Sequence, residues 1–300
     1  WPRACESWEV NSDGSEWVWN LREGMKWSDG APFTANDFMW YWENQILNSE
    51  LTASINATDW KAGPNDEVMV PEAPDDYTLV WKYAGPKPLR ILSLGRANEI
   101  FVPGHYMKRF HVELTHDKGA LETEYKAAGI DTWVNYYNDR NLWYMNPDRP
   151  SYGAWLAMNA LSEELFVMER NPYFFGVDSA GQQLPYIDRI THRLFATPDV
   201  KNMWVVNGEI DFQARYMAFS DFTLFKESEE SGDYKVFLGV SAGHTALNTN
   251  HTCQEPHIRE FLQNRDVRIA LSLAVNRDEL NDLLFDGMAT PRQYSPISMS

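Results

Sequence analysis

Between residues 17 and 22 the chain alternates: Trp17, Trp19 and Leu21 fall on one side, and Val18, Asn20 and Arg22 on the other. That period of two is the pattern of a half-buried strand. The preceding SWEV, residues 7–10, is separated from it by the polar stretch 11–15, so the two segments predict a hairpin. Downstream, Ser28-Asp29-Gly30 is a turn signal, since Asp accepts local backbone hydrogen bonds and Gly tolerates positive φ. Pro32 and Phe33 lead to Thr34, an N-cap residue, with Asp37 in the first turn where a strict capping box has Glu or Gln. A helix is expected from Ala35, with Phe38, Met39, Trp42 and Ile46 on its buried face. Residues 63–74 read as loop, and residues 75–83 as a strand with Tyr77, Leu79 and Trp81 on one face.

Further along, residues 89–96, 105–111, 118–128 and 132–138 predict short helices, punctuated by Pro103, Gly104 and Gly129. Strands are expected at 164–169, 188–195, 234–240 and 245–250, with helices at 198–207 and 220–230 between them. Asp266 is expected to cap a helix over 267–274, and residues 276–279 to start another that ends near Gly287. Such alternation points to an α/β chain with sheet covered by helices.

The chain has 300 residues, 44% of them apolar, enough for one large or two ordinary domains. Its mean hydropathy is -0.48. No apolar run approaches the roughly 20 residues that cross a bilayer. A net charge of -17 disfavours a nucleic-acid surface, because phosphate binding needs local positive charge. Two cysteines, Cys5 and Cys253, make no disulfide framework, and two separate thiols are expected.

Catalytic patterns are missing from the sequence: it has no G-x-S-x-G, no phosphate-cradling Gly-rich loop, no GxGxxG and no HExxH. In HVELTH, His111 and His116 are five apart, so the imidazoles would not share one helical face. His251 and His257 flank Cys253, which reads as a polar loop and not as a metal cluster. No enzyme, cofactor or metal is expected. The 13 Trp and 14 Tyr are a different signal, because aromatic rings in a cleft stack on sugars or line side-chain pockets. Trp17, Trp19, Trp42 and Trp81 lie on periodic faces and read as core; Trp143, Trp155 and Trp204 are less constrained.

Four stretches together carry a resemblance. WVWNLREGMKWSDGAPFTANDF (17–38) is similar to the "hLRkGvkWsDGxPfTAeDf" signature of the family 5 extracellular solute-binding proteins, the peptide, nickel and oligosaccharide receptors of ABC importers. ERNPYFFGVDSAGQQLPYIDRI (169–190), NGEIDF (207–212) and DVRIALSLAVNRDELNDLLFDGMATP (266–291) resemble that family's later motifs in order and spacing.

The resemblance implies an α/β, two-lobe periplasmic-binding-protein fold of type II (cluster C-like), the first lobe mostly present and the second only begun. Residues 1–245 would form the first lobe, with a subdomain covering about 1–150, and residues 246–300 the hinge crossover and start of the second lobe. It also implies about half of a full receptor, with segments before Trp1 and after Ser300. The implied function is capture of an oligopeptide between lobes for a membrane permease, with an oligosaccharide as the alternative cargo and a secreted hydrolase as a remote one. The carrier would be monomeric and periplasmic or extracellular, with a lipid anchor to the membrane surface as an option. By the same resemblance the ligand contacts would be Trp155, in the place of a family glycine loop of which Gly153 is kept; Gln213, Arg215, Tyr216 and Met217, in the turn after GEIDF; and His244 and Asn248 on the crossover.

Overall fold

A computed structural model describes residues 4–94, 99–239 and 247–291. The chain divides into two compact units, Trp1–Leu194 and Phe195–Ser300. The lobe boundary expected at 245–246 lies outside the described residues.

In the first unit the expected hairpin forms: β1 (Cys5–Val10) runs antiparallel to β2 (Glu16–Leu21), with Trp8 opposite Trp19 and Val10 opposite Trp17. Its turn is closed by Asp13, whose carboxylate accepts from the Ser15 amide at 3.0 Å, and by Asn11, whose side-chain oxygen accepts from Glu16 N at 3.0 Å. The short hairpin β3 (Lys61–Ala62) and β4 (Glu67–Val68) stands apart, while β5 (Val70–Asp75) and β6 (Thr78–Lys82) extend the main sheet in the order β1-β2-β6-β5. The register sets Trp17 against Trp81 and Trp19 against Leu79, so the alternation puts all four side chains into one buried layer. β5 corrects the expectation of a loop through residue 74. Pro71 and Pro74 lack an N–H, but on an edge strand the missing donor interrupts no ladder.

Helix α1 (Ala35–Tyr41) begins at Thr34 as expected, and Asp37 completes the capping box by accepting from Thr34 N at 2.9 Å. The same carboxylate accepts from Trp27 Nε1 at 3.1 Å, which ties the turn to the helix. Burial nonetheless raises its pKa. A π-helical turn continues α1 through Ile46. Asn56 caps α2 (Ala57–Trp60), and α3 (Arg90–Leu94) sends Arg90 into the core. There its guanidinium lies 4.5 Å from the Trp60 ring centroid and 5.2 Å from that of Trp81, and pairs with Asp59 at 2.7 Å. Trp27, Phe33 and Phe38 are fully buried in the same aromatic cluster.

Helices α4 (Gly104–Met107), α5 (Lys118–Ala127) and α6 (Trp133–Arg140) fall where the pattern placed them, the last two capped by Asp117 and Thr132. A three-stranded antiparallel sheet follows, formed by β7 (Trp155–Ala157), β8 (Leu165–Arg170) and β9 (Arg189–Arg193) in that order.

The described residues of the second unit are helical and irregular, with no strand. They comprise α7 (Pro198–Val206), α8 (Phe222–Glu227), α9 (Pro256–Gln263), α10 (Arg265–Leu273) and α11 (Arg277–Phe285). The strand expected at 234–240 is absent over its described residues 234–239, and residues 247–250 form none either. The local reason is partnering: Val236 N donates to the Glu229 carboxylate and Tyr234 OH to Phe225 O, contacts that fold the segment back on α8. Helix α10 starts two residues earlier than expected because Asn264, and not Asp266, is its cap; Asn264 accepts from Asp266 N at 2.8 Å. α11 begins after Asn276 and ends at Asp286 and Gly287, both at positive φ, as the Gly signal predicts.

Candidate functional site

In the first unit Trp155 opens β7, opposite Arg170, and packs half-buried against Ala157, Phe166 and Met168. The loop before it is fixed by Asn171, a buried side chain that sequence reasoning did not single out. Its amide donates to Gly153 O at 2.9 Å and to Ser151 O at 3.3 Å, its carbonyl accepts from Tyr173 N at 2.9 Å, and its backbone N–H donates to Ala154 O at 2.9 Å. Asn171 is the Asn of the NPYF stretch, so that motif residue works by holding the loop that presents Trp155. Ser28 holds the same loop from the other side, its Oγ accepting from Ser151 N and its N–H donating to Ser151 O.

In the second unit Gln213, Arg215, Tyr216 and Met217 share one irregular turn. Gln213 Nε2 donates to Arg215 O at 2.5 Å, and the Arg215 guanidinium lies 5.6 Å from the Tyr216 ring. Tyr216 has φ +58° and keeps 70% of its surface exposed, with its ring edge-on to Phe195 at 6.1 Å. Lys201 on α7, another residue the sequence did not flag, donates to Tyr216 O at 2.5 Å and to Met217 Sδ at 3.4 Å. Asn248 is exposed in the irregular stretch that follows residue 246; His244 lies outside the described residues.

The remaining titratable candidates are structural. His111 is buried, its Nδ1 accepting from Glu113 N at 3.3 Å, which leaves Nε2–H to donate to Asn44 O at 3.1 Å. Among the described residues no group of three or more His, Cys, Asp or Glu is placed to hold a metal ion. Cys5 and Cys253 are free and half-buried, and burial pushes the Cys5 thiol up to about 11, away from reactivity. Among the described residues no helix is long and apolar enough to cross a membrane. Two shallow cavities, of about 380 Å³ beside Val10, Trp17 and Pro88 and about 250 Å³ beside Glu43 and His111, contain none of the expected contacts. The chemistry these residues carry is that of aromatic rings at Trp155 in the first unit and Tyr216 in the second, side-chain amides at Gln213 and Asn248, and a guanidinium at Arg215.

The model of the bacterial extracellular solute-binding proteins, family 5 Middle, matches residues 2–300. The periplasmic oligopeptide-binding protein OppA of Escherichia coli (strain K12) is 34% identical over 308 residues, covering 98% of this chain and 48% of OppA. The periplasmic alpha-galactoside-binding protein of Rhizobium meliloti (strain 1021) is 30% identical over 301 residues, 96% of this chain and 40% of that protein. Among solved structures an oligopeptide-binding protein OppA superposes with a TM-score of 0.78 at 34% identity, over 98% of this chain and 47% of its own. The binding protein MelB of Agrobacterium fabrum C58, in complex with stachyose, gives a TM-score of 0.64 at 25% identity, over 96% and 41%. The chain spans about half the length of the curated relatives it matches. The α/β periplasmic-binding fold expected from the four motifs is the fold of these structures.

Proposed function

We propose, because the chain belongs to the bacterial extracellular solute-binding proteins of family 5, that it is part of the ligand-capturing component of an ABC importer and that its cargo is an oligopeptide. The observation that carries this reading is the likeness to OppA along nearly the whole chain, at 34% identity and a TM-score of 0.78. Residues 1–245 act as most of one lobe and residues 246–300 as the crossover and start of the next. A ligand held by both lobes favours the closed state over the open one by the contacts it makes only there. The permease then recognises the closed form. Trp155, Gln213, Arg215, Tyr216, Met217, His244 and Asn248 supply the contacts of this half. The protein is a monomeric carrier and catalyses nothing. It works in the periplasm or at the cell exterior, free or tethered by a lipid, and fractionation with and without detergent distinguishes those two.

A second reading, an oligosaccharide cargo, is favoured by the open ring face of Tyr216, by the relative named for α-galactoside and by the MelB structure in complex with stachyose. Calorimetric titration of the intact gene product with a tetrapeptide library and with stachyose separates the two. Saturable stachyose binding with no peptide response overturns the peptide assignment, and turnover of either probe overturns the carrier role.

A further inference from the structure

Lys201 lies on α7 with 1% of its surface exposed, and among the described residues no ion pair holds it. An interior ammonium costs stability unless its donors are used. Here they go to Tyr216 O and Met217 Sδ, with the Phe225 ring centroid 5.6 Å from Nζ. Desolvation lowers the lysine's pKa, opposed by Asp221, whose carboxylate is itself bound by Asn202 Nδ2 at 2.9 Å. One turn of α7 therefore grips both ends of the segment from Tyr216 to Asp221.

What it grips is strained. A φ of +58° is a conformation that a bulky residue keeps only when its surroundings impose it. The Tyr216 side chain, mostly in solvent, supplies little of that restraint. The backbone does: Arg215 O is held by Gln213 and Tyr216 O by Lys201, two successive carbonyls each fixed by a side-chain donor.

We propose that Lys201 is a positioning residue whose buried ammonium locks the 213–217 turn, so that the Tyr216 ring stands preformed for the ligand. This rests on the reading that the turn meets the cargo. The ordering cost is then met when the protein folds, not when the ligand arrives, which raises affinity without adding a contact. A buried cation retained for this purpose predicts opposite signs for binding and stability. Lys201→Met keeps a similar volume and removes the charge together with the bonds to Tyr216 O and Met217 Sδ, so its melting temperature holds or rises while affinity falls by about 3- to 10-fold. A merely structural lysine gives a lower melting temperature and no change in affinity per folded molecule.

The test uses the intact gene product, with stachyose and a tetrapeptide library as probes, for the wild type, Lys201→Met, Tyr216→Ala and the double variant. Hydrogen exchange over residues 213–218 is followed in parallel, and Gln213→Ala serves as a milder variant that frees only the Arg215 carbonyl. The expected result is faster exchange in Lys201→Met, a smaller acceleration in Gln213→Ala, and weaker binding in both single variants with no further loss in the double. Unchanged exchange in the turn of Lys201→Met overturns the proposal whether or not either probe binds. If the wild type binds and Tyr216→Ala does not weaken it, the turn is outside the site and the role in binding falls. If the wild type binds neither probe, it is the cargo assignment that fails, and the exchange result alone then decides for or against Lys201.

Discussion

The two units carry similar apolar periodicity and bury it very differently. In the first, Trp27, Phe33 and Phe38 are sealed at 0% exposure among aromatic neighbours. In the second, α9, α10 and α11 bury no residue, and Leu273 and Leu283 remain more than 70% exposed. An amphipathic stripe specifies a helix, but a core forms only where a second apolar face meets it. The first unit supplies that face with its own sheet. The burial that the stripes of α9 to α11 require is not supplied by the described residues of the second unit.

The sharpest way to break this contrast is a pair of truncations. Phe38→Ala should cost about 3–5 kcal/mol, since it removes a ring packed 5.2 Å from Trp81 and 6.0 Å from Trp60. Leu273→Ala should cost no more than about 0.5 kcal/mol if its face is open to water. Urea denaturation of the intact gene product measures both. A Leu273→Ala loss near that of Phe38→Ala would mean that the second unit's stripes are covered in the intact molecule, and the contrast would vanish.

Next in size is Arg90→Ala, which should cost about 3 kcal/mol, because it removes a buried guanidinium from between two indoles and leaves Asp59 without its partner. A loss near zero would show that the aromatic layer holds together without the cation. Smaller again is Thr34→Ala, expected to cost about 1 kcal/mol, the usual value of an N-cap. Because Asp37 also binds Trp27 Nε1, the loss should be felt by the whole first unit and not as fraying of α1 alone.

These residues also show what could be read from sequence. The β1–β2 hairpin and the Thr34 cap were legible because a period of two and a cap residue act over a few positions. β5 was not, because two prolines argue against a strand until its edge position is known. β7 is three residues long and exists only through pairing with β8, a non-local fact. The segment 234–239 shows the reverse case: Tyr234, Val236 and Leu238 alternate as in a strand, yet the N–H groups of Tyr234 and Val236 bond to Glu229, just after α8, instead. Trp155 and Tyr216 could be named from motif position, but their supports could not. Asn171 and Lys201 read as ordinary polar residues until the loops they hold close over them.

The smallest effect expected is a pH dependence confined to the first unit. Burial lowers the pKa of His111 from its ordinary 6.5, although the Asn44 carbonyl and the carboxylates of Glu113 and Glu50 work in the opposite direction. Between that lowered value and 6.5 the unfolded chain binds more protons at this site than the folded one does. His111 therefore stabilises the fold fully above 6.5, and the contribution shrinks as pH falls through the window down to the folded value. Protonation has a structural cost that fits the sign, since a charged imidazole can no longer accept from Glu113 N at Nδ1. Urea midpoints at about pH 7.5 and about pH 5.5, both above the range of ordinary carboxylates, isolate the effect. The wild type should lose more stability on that step than His111→Gln, which has no proton to gain. An equal loss in the two proteins would mean that His111 does not couple folding to protons. Asp37 cannot stand in as the source of acid sensitivity, because its raised pKa makes the folded chain bind more protons than the unfolded one and predicts the opposite slope.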